Sequence, residues 1–312
     1  MHSRIERVLD RMRAKGLSQM IVADPMSIRY LSGVDIEPFE RLFILYLRED
    51  GSGHFFLNRL FTVPQTDFQE HWYSDTDNPI HELSQLVQAD RPLGIDKVWT
   101  ARFLIPLMQY CPNMPVLLAS DCVDDCRAIK DSEEIGKMKR ASAINDQVME
   151  EAASYVRVGM TEKELAAFIR KRYRELGCQG ESFTTIVSFG ANAADPHHEP
   201  DDTILEEGQC VLIDMGCIKD HYCSDMTRTY FCGAADPEQT AIHDLVREAN
   251  ERAIRMIRPG VRFCDIDAAA RSHIEEAGYG PNFTHRLGHF IGQTDHEQGD
   301  VISTNTSRTE AG

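Results

Sequence analysis

Apolar positions recur along this chain first at helical spacing, then in short runs, and the two patterns alternate. Ile5, Val8, Leu9 and Met12 fall on one helical face, Ser3 and Glu6 are set as a capping box, and Gly16 supplies a stop. The apolar run 17–23 reads as a buried strand, Asp24-Pro25 as a turn, and 27–31 as a helical turn ending near Gly33. Runs 42–47 and 54–57, separated by a Gly- and Ser-rich turn, read as a hairpin. A helix near 80–89, a strand at 93–95, a helix near 101–110 and a strand at 116–119 follow. Such alternation predicts a small α/β domain over residues 1–125, ending near 121–125. It contains no catalytic constellation, so a structural or substrate-capping role is expected.

The pattern changes at Asp131 and Ser132, which cap a long helix with an acidic first turn running to about Val156. Thr161 and Glu164 form a second capping box, and Leu165, Phe168, Ile169 and Leu176 mark a helix that stops at Gly177, before a strand at 183–189. A shift of 101 residues lays Gly159 on Gly260, Leu165 on Ile266, Arg170 on Arg271 and Gly177 on Gly278. The paired segments are 133–156 with 162–176, and 237–258 with 265–277. Two αα-plus-strand units predict a pseudo-symmetric sheet with helices on one side and a cleft on the other, an α+β domain over 130–312.

Composition narrows the function classes. Lys and Arg number 33 against 50 Asp and Glu, a net charge of −17, which disfavours nucleic acid and anionic membranes as partners. No apolar run approaches the roughly 20 residues of a membrane span, and the charged N-terminal helix is not a secretory signal. Nine Cys lie scattered without CxxC pairs and read as reduced side chains. A cytoplasmic protein is expected.

Candidate chemistry gathers in the second domain. Two β-rich runs, 211–218 and 227–231, carry or adjoin Asp214 and Asp225. A carboxylate inside Val-Leu-Ile-Asp-Met should be buried, and a buried anion costs several kcal/mol unless a cation or strong donors meet it. Across a hairpin through 219–221 the two carboxylates can converge on a divalent cation, or Asp225 can simply cap a turn. His197 and His198 stand in a Pro-bracketed polar loop, suited to substrate contact or proton transfer, or merely exposed. His285, His289 and His296 lie within twelve residues beside Gly288 and Gly292. The glycines argue for a strand, on which His285 and His289 would share a face. Imidazoles with carboxylates favour Mn, Co, Zn or Fe over Mg or Ca.

With Asp214, Asp225, Gly-His-Phe-Ile-Gly at 288–292, Pro-His-His-Glu-Pro at 196–200 and His296-Glu297, the chain resembles the creatinase/prolidase/methionine-aminopeptidase family of M24-type pita-bread metallohydrolases. The nearest branch is that of Xaa-Pro dipeptidases and aminopeptidases. The first 125 residues, with the stretches 23–33 and 40–42, are similar to the family's creatinase-type N-terminal domain. The resemblance implies two divalent metal ions, with Asp214 on one, Asp225 bridging and His289 on the second. It implies that His197 contacts substrate or stabilises the tetrahedral intermediate, that His296 donates to the scissile carbonyl oxygen, and that His285 and Arg286 line the substrate pocket. The implied reaction is hydroxide attack on an X-Pro amide. A homodimer is implied by the family's frequent dimerisation.

The family completes its site with two Glu ligands that would fall beyond residue 312, and Glu310 stands where the family has a turn residue. The pita-bread domain is therefore expected to lack its last strands, as an incomplete form of a competent enzyme. In the chain as given the metals could be absent, and raised pKa values are then expected for Asp214 and Asp225. Alternatives are a family member with non-peptide chemistry, such as a creatinase-like hydrolase or a lyase, and a non-catalytic binding module.

Overall fold

A computed structural model describes residues 2–312, with side chains from Arg4 onward, so the cap expected at Ser3 lies outside the described side chains. The chain divides into two compact units, Met1–Arg127 and Ala128–Gly312.

In the first unit, α1 (His2–Ala14) buries Val8, Leu9 and Met12, the residues whose spacing marked the helix. Next come β1 (Gln19–Val22), α2 (Pro25–Ser32), β2 (Ile44–Arg48), β3 (Gly53–Asn58) and β4 (Gln69–Tyr73). The remainder is α3 (Pro79–Leu86), β5 (Leu93–Ile95), α4 (Ala101–Tyr110), β6 (Val116–Leu118) and α5 (Asp121–Ala128). The six strands form one sheet in the order β4-β3-β2-β1-β5-β6.

Three features depart from the sequence reading. Asp24 is not a turn residue but the N-cap of α2, its carboxylate accepting from the Met26 and Ser27 amides. Strand β4 went unseen because Gln-Glu-His-Trp-Tyr lacks an apolar alternation; parallel pairing with β3 makes it a strand, and only Tyr73 is buried. Helix α5 runs across the expected domain end at 121–125, since Cys122, Val123 and Cys126 are buried in the first unit's core.

The second unit opens with α6 (Ser132–Tyr155) and α7 (Glu162–Glu175), both started by complete capping boxes, Asp131 with Glu134 and Thr161 with Glu164. After β7 (Gly180–Glu181) and β8 (Ile186–Phe189) come β9 (Cys210–Met215), β10 (Cys217–Lys219), β11 (Tyr222–Cys223) and β12 (Met226–Phe231). The helix pair α8 (Pro237–Met256) and α9 (Phe263–Glu276) precedes β13 (Gly288–Phe290) and β14 (Glu297–Val301). The sheets are ordered β11-β10-β7, β12-β9-β8 and β13-β14.

Strand alternation orients the central sheet. Val211, Ile213 and Met215 are fully buried in one cluster with Val148, Leu165 and Ile169 of α6 and α7, which turns Leu212 and Asp214 to the opposite face. A buried polar bridge fixes the end of this strand: Asn145 of α6 accepts from the Tyr173 hydroxyl and donates to the Met215 carbonyl at 3.1 Å. Gly159 and Gly260 have φ of 88° and 90°, and Gly177 and Gly278 have 68° and 87°. The internal repeat thus extends to its backbone: matched glycines take the left-handed conformation at matched helix breaks.

The apolar run 211–218 is two strands, broken at Gly216. A Cβ there would lie far inside contact distance of the Ser224 carbonyl and the Ser182 hydroxyl, so only glycine lets the two strand segments cross. Gly216→Ala is expected to destabilise the protein by about 3 kcal/mol, the upper end of overpacking effects, as read by urea denaturation; a loss under about 0.5 kcal/mol would mean that the crossing can relax.

Candidate active site

Asp214 of β9 pairs in register with Thr227 of β12, whose hydroxyl donates to its carboxylate at 2.8 Å. Asp225 stands just before β12 and faces His289 of β13, Oδ2 to Nε2 at 3.3 Å. His296, in the turn before β14, stacks on His289 with ring centroids 3.9 Å apart. Asp214, Asp225, His197, His285, His289 and His296 all line one cleft of about 780 Å³, whose apolar wall includes Met138, Phe183, Ile186 and Ile291. His285 and His289 do not share a strand as expected, because β13 begins only at Gly288 and His285 lies in the preceding loop. Arg286 is not among the lining residues; its guanidinium is bound to Asp300 at 2.8 Å.

The cleft is built to hold charge that it does not itself neutralise. Burial pushes the Asp214 carboxyl above the usual carboxylate range and Asp225 adds to the rise, against the Thr227 hydrogen bond and the nearby His289 and His296, which lower it. His289 Nδ1 lies 3.1 Å from the Phe290 carbonyl, which assigns the ring proton to Nδ1 and leaves the Nε2 lone pair facing the Asp225 carboxylate. Two acceptors at that distance need a cation between or beside them, either a proton or a metal ion. Asp225 accordingly raises the His289 pKa in the metal-free protein. Two carboxylates and an imidazole with an open lone pair fit a divalent transition metal.

A second carboxylate–imidazole cluster went unnoticed in the sequence. Glu162, His198 and Asp201 have potential ligand atoms within 4.8 Å of one another. Here the donor count is different. Oε1 of Glu162 accepts from the Phe189 amide at 2.7 Å and from Asn192 Nδ2 at 3.0 Å. Oε2 accepts from His198 Nε2 at 2.6 Å and from the Asp201 amide at 3.0 Å. Four donors fill the carboxylate's four lone-pair positions, and His198 spends its Nε2 proton on it, so this cluster is a hydrogen-bonded anchor. The sequence signal was slight: Glu162 follows the N-cap Thr161, where an acidic residue already suits the helix dipole.

The remaining motif residues are held locally. Glu297 accepts from the Gln293 amide at 3.0 Å and pairs with Lys130 at 3.1 Å, nearly excluded from solvent. A Cβ on Gly292 would come within 2.6 Å of that carboxylate, which is why the motif ends in glycine. Arg271 grips Asp267 through two nitrogens and donates to the Phe283 and His285 carbonyls at 2.9 and 3.0 Å, fixing the loop that presents His285.

Comparison with known proteins shows the family of the chain. The model of metallopeptidase family M24 matches residues 136–312, more than half of the chain, and that of the creatinase/prolidase N-terminal domain matches residues 4–129. The chain belongs to metallopeptidase family M24. This M24 chain is 35% identical to an uncharacterized peptidase of Staphylococcus aureus, over 99% of its own length and 89% of the relative's. A dipeptidase from Pyrococcus horikoshii superposes with a TM-score of 0.90 at 31% identity, covering 98% of this chain and 87% of that one. The dipeptidase PepE from Mycobacterium ulcerans superposes with a TM-score of 0.91 at 28% identity, over 100% and 86%. A prolidase from Pyrococcus horikoshii gives 0.88 at 25% identity, over 99% and 87%. The fold is therefore the two-domain M24 pita-bread fold, and the family implies divalent metal ions.

A desolvated ligand carboxylate has a thermodynamic signature. Because the folded state raises the Asp214 pKa above the ordinary carboxylate value, the stability it contributes is present at low pH and is lost as pH rises through the folded value. In the metal-free M24 protein at pH 7, Asp214→Asn is expected to match or exceed the wild type in thermal midpoint while metal affinity falls. A midpoint several degrees lower would show that the carboxylate itself supports the fold.

Proposed function

We propose that this M24 protein hydrolyses X-Pro peptide bonds with divalent metal ions held by Asp214, Asp225 and His289. The observation that carries the reading is the constellation in the cleft: a desolvated Asp214 beside an Asp225–His289 pair, Oδ2 to Nε2 at 3.3 Å, that calls for a proton or a metal ion. Divalent ions held there would supply Lewis acidity toward the peptide carbonyl and an activated water. Asp214, Asp225 and His289 bring two carboxylates and one imidazole to those ions.

The chain's other residues take complementary parts. Asp295 accepts from His296 Nδ1 at 2.9 Å and sets the ring's orientation; when the ring carries both protons, its Nε2–H can donate to oxyanion charge developing beside His289. His197 is solvent-exposed at the cleft, its backbone amide fixed to the Asp195 carboxylate at 2.9 Å, and is free to meet the substrate. His285 Nδ1 lies 2.7 Å from the Arg286 carbonyl, which directs its other ring edge outward to line the pocket for the residue after the scissile bond. The apolar wall of Phe183, Ile186 and Ile291 suits a pyrrolidine ring better than a charged side chain.

The deciding measurement is cleavage of X-Pro dipeptides and of longer X-Pro peptides by the protein with Mn²⁺ or Co²⁺, against Ala-Ala controls. Cleavage of X-Pro bonds lost on chelation is expected. His296→Ala should lower kcat about 100-fold or more with metal binding retained, whereas His289→Ala should weaken metal binding. Equal turnover of X-Pro and Ala-Ala substrates would overturn the X-Pro specificity, and metal-independent turnover the whole reading.

A further inference from the structure

His197 and His198 are neighbours in one loop, yet they are held in opposite ways. His198 is turned inward, its side chain 14% exposed, with Nε2 on the wholly buried carboxylate of Glu162. His197 is turned out to the cleft. The two sit at one turn, Asp195–His198, closed by the His198 amide donating to the Asp195 carbonyl at 3.2 Å, so the backbone that places His198 also places His197.

Glu162 reaches both ends of the segment that carries them. Its Oε1 holds the Phe189 amide at the end of β8 and the Asn192 side chain in the 3₁₀ turn Gly190–Ala194; its Oε2 holds His198 and the Asp201 amide beyond it. Asn192 Nδ2 also reaches the Thr203 hydroxyl at 3.1 Å. The backbone around Glu162 extends the same clamp: its amide donates to the Thr203 carbonyl and that of Lys163 to the Asp201 carbonyl, at 3.3 and 3.2 Å. A stretch of loop with few apolar contacts is thereby tied at several points to the first residue of α7, a helix packed in the core.

We propose that Glu162 and His198 are positioning residues for His197: the buried carboxylate locks His198 inward and thereby presents the His197 imidazole to the cleft. This rests on the reading of His197 as a substrate contact. Removing the charge at Glu162, or the donor at His198, frees the segment 190–203 without touching Asp214, Asp225 or His289.

The test is a double-mutant cycle on an X-Pro substrate with Mn²⁺, run with Glu162→Gln, His197→Ala and the pair, alongside Mn²⁺ titration and amide hydrogen exchange. Glu162→Gln is expected to lower kcat/KM about tenfold in the wild-type background and by less than about twofold when His197 is already Ala, with Mn²⁺ affinity unchanged. Exchange at the Phe189 and Asp201 amides should rise. Should Glu162→Gln fail to fold, His198→Gln, whose amide can still donate to Glu162, and His198→Ala take its place: the first should retain activity and the second lose it, again only with His197 present. Equal losses in both backgrounds would overturn the proposal, as would unchanged exchange in the segment. If His197→Ala is silent while exchange rises, the anchor stands and the substrate role of His197 is what fails.

Discussion

The second unit is organised around an anion that its own strand cannot satisfy. Strand alternation sends Val211, Ile213 and Met215 into the α6–α7 core, and the same alternation forces Asp214 to the other face, into a partly desolvated cleft. One hydroxyl from Thr227 does not offset the desolvation of a carboxylate, so the site needs positive charge. The neighbouring pieces follow from that need. Gly216 lets the strands cross closely enough to bring Asp225 alongside, and β13 delivers an imidazole whose outer nitrogen is already committed to a carbonyl.

Two carboxylate–imidazole pairs within this unit show that distance alone does not define a metal site. Glu162–His198 and Asp225–His289 both bring a carboxylate oxygen within reach of a ring nitrogen, at 2.6 and 3.3 Å. The difference lies in where the protons are. Glu162 receives four N–H donors, one of them from His198 itself, and is neutral in its hydrogen-bond demand. His289 faces an acceptor at each ring nitrogen, the Phe290 carbonyl and the Asp225 carboxylate, so one neutral ring cannot satisfy both. The first arrangement is stable as it stands and stiffens a loop; the second is completed by a cation.

The internal repeat supplies the frame for both. Its matched helix pairs each break at a left-handed glycine and close at another, and each packs a face of small and branched side chains: Val148, Leu165 and Ile169 in one half, Ala249, Ile266 and Ile274 in the other. The exposed faces can then diverge freely, and the loops between strand and helix carry the chemistry.

Much of this was legible from local signals. Capping boxes at Asp131 and Thr161, helical spacing in α1 and α7, the glycine stops and the Asp214, Asp225 and His289 motifs are encoded within a few residues of where they act. Strand β4, helix α5 and the inward turn of His198 were not, because each depends on a distant partner: β3, the first unit's core, and a buried carboxylate 36 residues upstream. The amino-acid sequence by itself determined most of the elements, the repeat and the residue types of the cleft, since caps, periods and glycines act over one or two turns of chain. Only the tertiary structure decided that His198 is an anchor and that Arg286 is bound to Asp300, because those outcomes depend on donors and acceptors brought together by the fold.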